Sequence, residues 1–437
     1  MPNNNESGQL SSIDARDTSM SSRGTGHVCD LSNYHFLKNL RVQYDWQQYK
    51  GVDTDCFWLS FQKDFKHTTN DSIRTTKESN NNNNNNDSSL FKFESEHGFK
   101  LNVENDDPNH IKASCENYAV DIYAPNRILK LGNRRIISMG VSPDGDLGVY
   151  GATDGILEIF ETSDGQVRRK LEGHVGDVDV ATFFPSGKVI LSGASDARLK
   201  IWDAIEGNCA ATLLGHHAGI TCADFVDRGR NIVSTSRDGT SRLWDVPSQS
   251  CIAVLSQYDR PINGCYVTSA TLSDHTPSTK EKDSREYGTD GKSVITANEE
   301  GFMVALDLRS HEQIAKISVP AHKSAFNSCT VLKDSIFGGD HDGHIFQFDR
   351  RKLDEVLSIF QFTKSPIHHL KHSMIPDSPN KLWASSGDGC VYLLDIDSQT
   401  ICKSLSGIDT DVVTSVNIIN NQAFTSTRDS FVRCYQF

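Results

Sequence analysis

No apolar run in the sequence approaches the roughly 18 residues that a membrane helix requires. Its eleven cysteines include no C-x-x-C pair, so neither a zinc ribbon nor a dithiol motif is indicated. There is no G-x-S-x-G elbow, no phosphate-binding P-loop, no H-E-x-x-H helix and no sustained heptad pattern. Nothing therefore assembles a nucleophile with a base, and the chain is read as a binding protein without a cofactor rather than an enzyme. Basic residues are in deficit, 44 against 57 acidic, for a net charge of −13. Such a balance argues against nucleic acid, which needs a basic face to displace counterions. It suits a basic protein partner drawn in by charge. The first 25 residues are rich in Asn, Ser and Gly and carry no apolar core, so no secretory signal is expected. The expected setting is the reduced cytoplasm, or the nucleus, with cysteines acting as small buried hydrophobes.

What is present is a period. Asp154, Asp196 and Asp238 are spaced by 42, as are His174 and His216, and Trp202 and Trp244. The acid recurs in weaker copies at Glu300, Asp342, Asp388 and Asp429. Gly follows it at Gly155, Gly239, Gly301, Gly343 and Gly389. Six positions after each acid stands a large apolar residue: Phe160, Trp202, Trp244, Leu306, Phe348, Leu394 and Tyr435. The next residue is acidic in every copy except the last, where Gln436 stands. Apolar runs around an Asp-Gly pair read as strand, two-residue hairpin turn, strand. One such unit cannot bury both of its faces, so seven must stack into a ring. The fold class is all-β, a seven-bladed WD-repeat β-propeller over residues 118–437. It is preceded by a tail, 1–35, read as disordered, and by residues 36–117, interrupted by the Asn80–Asn86 run and read as a small β-rich domain or else as an irregular extension packed on the ring.

Two blades carry a full set of polar residues at fixed spacing: His174, Ser192, Asp196 and Trp202, then His216, Ser234, Asp238 and Trp244. These look catalytic by type but are read as structural, because buried polar groups need partners. His322 is a candidate for the same task in blade five, and Asp409 stands where blade seven would place the His. Longer steps mark insertions, chiefly Ser269–Lys292 in blade four, which reads as a polar loop. The chain ends at the close of a third strand, leaving blade seven without its outer one. An open edge there invites aggregation, so Tyr118–Leu131 is expected to supply the fourth strand and close the ring.

Two His groups, His341 with His344 and His368, His369 with His372, lack the Cys or carboxylate company of a zinc site, so no metal is assigned. In a strand, His368 and His372 would share one face.

The runs EGHVGDVDVATFFPSGKVILSGASDARLKIW and VDRGRNIVSTSRDGTSRLWD are more specific than generic blade sequence. With SREYGTD, DGHIFQFDRR, TRDSFVRCYQF and VQYDWQQYK followed by CFWLSF, the chain resembles the proteasomal ATPase-associated factor family from about residue 40 to its end. The resemblance implies a chaperone for assembly of the proteasome regulatory particle. It implies binding to the C-terminal domain of one ATPase subunit of the base, through an acidic propeller face. Blade-to-blade loops and hairpin turns share one face, and there Asp177, Asp179, Glu299, Asp340, Asp409 and Asp411 are the candidate partner-binding acids. Arg237 and Arg428 fall on the same face and argue against a uniformly acidic surface. A competing reading, a substrate receptor of a cullin-RING ubiquitin ligase, rests on LDLR ending at Arg309 and FDRR containing Arg351, both without the expected Trp. No membrane is expected as a partner, and a closed ring needs no second copy.

Overall fold

A computed structural model describes residues 33–46, 56–64, 66–77, 91–94, 98–103, 109–269, 272, 283–320, 322–373, 380–408 and 411–437. Six four-stranded antiparallel units and a seventh of three strands follow one another from Ile136 to Gln436. Their innermost strands are Ile136–Val141, Val178–Phe183, Ile220–Val226, Ile262–Thr268, Phe326–Leu332, Ile367–His372 and Val413–Ile419, for blades one to seven. Each packs against the next, and that of blade seven packs against that of blade one.

The seven apolar residues six places after the turn acids are each at most 1% exposed. That burial explains why the position admits only Trp, Phe, Tyr or Leu. The acid that follows them has a separate task. Asp203 Oδ1 accepts the N–H of Ile205 and of Glu206, and Asp307 Oδ1 those of Arg309 and Ser310. Each such carboxylate braces the turn between the third and fourth strands.

The Asp-Gly turns are not of the two-residue kind expected. Gly239 N–H donates to Ser236 O, and Gly239 alone takes the left-handed conformation, at φ 77°. This is a three-residue loop, Arg237–Gly239, ending in a left-handed Gly. Only in blade one is the acid also left-handed, Asp154 at φ 63°. Where Gly is absent, Ala197 and Ser430 hold the same conformation at φ 62° and 69°.

Ring closure uses less of the leading segment than expected. Only Arg127–Lys130 pairs with Phe431–Gln436, as the outer strand of blade seven. Tyr118–Tyr123 instead lies parallel on Lys403–Leu405, outside blade six. The chain changes blade at Pro125, which has no N–H for a ladder. There Ala124 N–H turns away to Asn109 O, and Asn126 N–H donates to Cys434 O.

The part before the propeller is not a separate body either. Tyr34–Phe36 adds a parallel fifth strand to blade five. Lys100–Val103 and His110–Cys115 extend blade six beyond Tyr118–Tyr123. Asn39–Val42, Cys56–Gln62, Thr68–Lys77 and Phe91–Glu94 form a sheet of their own. Leu40, Leu59, Phe61 and Ile73 of that sheet share one buried cluster with Phe360, Phe362, Tyr392 and Ile401 of blades five and six. Burying these apolar side chains at about 1.5–3 kcal/mol each holds the sheet to the ring's flank. Residues 1–32 and the Asn80–Asn86 run lie outside the described residues.

The blade-four insertion is loop in its described residues, as expected, but residues 285–287 pack onto the blade. Asn231 Nδ2 donates to Arg285 O at 3.0 Å, and Asn231 Oδ1 accepts the N–H of Tyr287. Glu286 is buried beside Arg309 and His311, at 3.4 and 3.0 Å. The sequence pattern hides this because one buried carboxylate in a polar stretch looks like any exposed one.

Candidate loop-face interface

Blade-to-blade loops and hairpin turns meet at one face through a repeated backbone bond. Ser195 N–H donates to Asp177 O, Arg237 N–H to Gly219 O, and Glu299 N–H to Pro261 O. Side chains lock the same junction in blades two and three. Trp202 Nε1–H donates to Ser192 Oγ at 2.7 Å, Ser192 lies 2.7 Å from His174 Nε2, and His174 Nδ1 lies 3.0 Å from Asp196 Oδ2. In blade three, Trp244, Ser234, His216 and Asp238 repeat this at 2.8, 2.7 and 3.0 Å. With Nδ1–H donating to the carboxylate, Nε2 is left to accept from the serine, so both imidazoles are neutral. Burial pushes both His pKa values down. Burial opposes the Asp238 charge, but the N–H groups of His217 and Thr240, with the Thr240 hydroxyl, hold its carboxyl well below the usual range. These polar side chains bond to one another and to neighbouring backbone, so the sets hold the face together.

Other blades solve the same problem with different residues. In blade five, Asp340 is fully buried and accepts the N–H of Asp342 and of His344. His344 Nδ1 lies 2.9 Å and His322 Nε2 3.3 Å from Asp340 Oδ2. Asp340 is thus removed from the partner-binding candidates. It is the internal acid of its blade, two places before the turn acid Asp342, and its charge is spent on its own backbone and two imidazoles. In blade six, Arg41 from the leading sheet reaches Asp388 Oδ2 at 2.6 Å. In blade seven, Arg433 reaches Asp429 Oδ2 at 2.8 Å and donates to Gly407 O and Thr427 Oγ1. Arg433 stands four residues after its acid, a spacing visible in the sequence. Arg41 has no local signal.

The remaining candidate acids divide. Asp177 and Glu299 are exposed, and Glu299 accepts a bond from Asn263 Nδ2 at 2.7 Å. Asp179 is half-buried, accepts from Ser195 Oγ at 3.2 Å and lies 3.7 Å from Arg237. Burial raises its pKa above the ordinary carboxylate value. Asp411 is half-buried beside the blade-six turn and accepts the N–H of Val412. Asp409 lies outside the described residues.

The structure brings Asp177, Asp179 and Glu299 together at the mouth of the central channel. A cavity of about 430 Å³ is lined by Asp177, Asp179, Arg135, His368 and Arg428 among others. Beside it a cavity of about 370 Å³ is lined by Asp179, Arg237, Asn263, Glu299 and His368. Three acids thus stand among three arginines, and the face is mixed rather than uniformly acidic. Arg135 was missed in the sequence because nothing local marks a loop residue as lining a channel.

The histidines are dispersed. His369 Nε2–H donates to Thr414 O at 2.6 Å, and burial lowers its pKa to about 3. His372 lies 3.4 Å from the Tyr266 hydroxyl. A register break after Ile367 disturbs the strand alternation, so His368 lines the mouth while His372 lines the deeper channel. Among the described residues no three His, Cys, Asp or Glu side chains gather as metal ligands. Arg309 is held by Glu286 and Asp290, and Arg351 by Asp349, so both guanidinium groups are engaged within the chain.

The WD domain, G-beta repeat family matches residues 165–203 and 207–245, which end in the two blades with complete His–Ser–Asp–Trp sets. Over most of its length the chain is similar to three curated proteins. It is 54% identical to "Probable proteasomal ATPase-associated factor 1" of Dictyostelium discoideum, across 92% of this chain and 96% of that protein. It is 41% identical to "Proteasomal ATPase-associated factor 1" of Homo sapiens and 42% identical to that of Gallus gallus, each across 91% of this chain and 98% of the relative.

Proposed function

The chain belongs to the proteasomal ATPase-associated factor 1 family, and from that premise we propose that it binds an ATPase subunit of the proteasome base through its loop face and chaperones assembly of the regulatory particle. The observation that supports this reading is the convergence of Asp177, Asp179 and Glu299 at the channel mouth of a chain whose net charge is −13. Exposed acids around a rigid rim attract a basic surface and set the rate and register of encounter. The arginines beside them reject a partner that is merely basic and select one with a complementary charge pattern. The proposed setting is the cytoplasm, or also the nucleus, and the proposed task is binding.

Affinity capture from a lysate containing proteasomes, at low and moderate salt, tests the proposal. ATPase subunits are expected without the proteolytic core, with a yield that falls as salt rises. Asp177→Lys with Glu299→Lys is expected to slow association several-fold without changing the melting temperature. Recovery of a cullin adaptor with no ATPase subunit overturns the reading.

A further inference from the structure

The inner strands of blades three and four, Ile220–Val226 and Ile262–Thr268, run side by side along the channel. Side chains of the first tie to the backbone of the second at three points. Thr221 Oγ1–H donates to Ile262 O at 2.5 Å, and Asp224 Oδ2 accepts Val267 N–H at 2.7 Å. Between them, Cys222 Sγ lies 3.7 Å from Cys265 O. The strands are therefore in step where each carries a cysteine. Both side chains enter the same apolar cluster in the blade seam, and both reach the wall of a channel cavity of about 440 Å³. Both are free thiols.

The neighbouring Cys265 pulls the Cys222 pKa down, while the Cys222 side chain and burial push that of Cys265 well above the usual value. Cys329, on the inner strand of blade five, lines the same cavity, but its thiol donates to Ile295 O at 3.3 Å and burial holds it protonated. Cys209 is exposed, with Ala211 O and Thr212 Oγ1 rather than a thiol beside it. The titratable side chains besides cysteine and tyrosine that share the cavity are Asp224, Lys371, Asp179, His369 and His372.

We propose that Cys222 and Cys265 form a reversible thiol–disulfide modification site, closed by a small peroxide that enters through the channel. The Cys222 thiolate attacks one peroxide oxygen, the O–O bond breaks, and hydroxide leaves, giving a sulfenic acid at Cys222. The Cys265 sulfur then attacks the Cys222 sulfur, the S–O bond breaks, and the proton of Cys265 leaves with the hydroxyl as water. Two thiols are oxidised to one disulfide and one hydrogen peroxide is reduced to two waters. A dithiol reductant reverses the step by exchange. The new bond pins blade three to blade four beside Thr221, which lines both mouth cavities. The site is independent of the ATPase-binding proposal.

The test treats the purified full chain with hydrogen peroxide, blocks free thiols by alkylation and maps peptides by mass spectrometry without reduction. A cross-link between the peptides holding Cys222 and Cys265, removed by dithiothreitol, is expected, with a higher melting temperature for the oxidised protein. Cys222→Ser and Cys265→Ser each abolish that cross-link, and Cys329→Ser retains it. Recovery of both residues alkylated, a bridge from Cys222 to Cys329, or oxidation of Cys222 only to the sulfinic or sulfonic acid overturns the proposal. Because the primary readout is on the unsubstituted chain, a poorly folding variant does not block the test.

Discussion

The guanidinium of Arg41 lies 2.6 Å from the carboxylate of Asp388, 347 positions later in the chain. It takes the place that a His holds in blades two and three, so the leading sheet completes the polar set of blade six. Burial works against the Asp388 charge, and Arg41, with the hydroxyls of Ser386 and Thr363, holds its pKa below the ordinary value all the same. Arg41→Met leaves that carboxylate without its cation. The expected loss is about 1–3 kcal/mol in guanidinium unfolding, the cost of an unpaired, partly buried charge. Adding Asp388→Ser is expected to restore part of it, and strict additivity of the two losses would show that the pair does not couple.

Ser234 is the shared partner of Trp244 and His216. Ser234→Ala orphans a buried donor and a buried acceptor together. A loss of about 1–3 kcal/mol is expected in chemical denaturation. The matching change Ser192→Ala is expected to cost a similar amount, because blade two repeats the geometry to within 0.1 Å.

His174, His216 and His369 all have pKa values pushed down by burial, His369 to about 3. Their unfolded value is about 6.5, so between the two the unfolded chain binds more protons. Stability is therefore full above about pH 6.5 and is lost as the pH falls below it, by up to about 1.4 kcal/mol per pH unit for each such imidazole. Asp238, held low, adds a further loss only below about pH 3.8. Melting temperature measured from pH 8 to pH 4 should be flat and then decline; a rise below pH 6.5 contradicts the neutral-imidazole assignment.

At Gly239 a Cβ would lie 1.9 Å from Tyr258 O, on a backbone at φ 77°. Gly239→Ala is expected to cost about 3 kcal/mol or more, since backbone strain of roughly 1–3 kcal/mol adds to a clash with a carbonyl that cannot swing away. Ala197→Gly occupies the equivalent place in blade two at φ 62° and is expected to change stability by no more than about 1 kcal/mol. Thermal melts of the two variants side by side check the contrast.

The propeller was legible because its signals are local and repeated. A 42-residue step, an apolar residue six places after each turn acid, and a second acid to brace the outer turn all follow from strand and turn geometry within one blade. The two complete polar sets were legible for the same reason, since His174 to Asp196 and His216 to Asp238 are both short, fixed spacings.

Asp340 was misread because two acids, Asp340 and Asp342, stand near one turn, and composition cannot tell which side chain points inward. The route of the leading segment was half legible. An unpaired edge demands a strand, but several edges compete for it, and the break at Pro125 decides that Arg127–Lys130 takes blade seven while Tyr118–Tyr123 takes blade six. By itself, the order of residues determined how each blade folds, since that depends on alternation and turn chemistry over some forty positions. Only the closed ring decided which groups meet across blades: Arg41 with Asp388, Cys222 with Cys265, and three acids with three arginines at the channel mouth. Those meetings depend on how the stacked sheets aim their ends, and no local period records that.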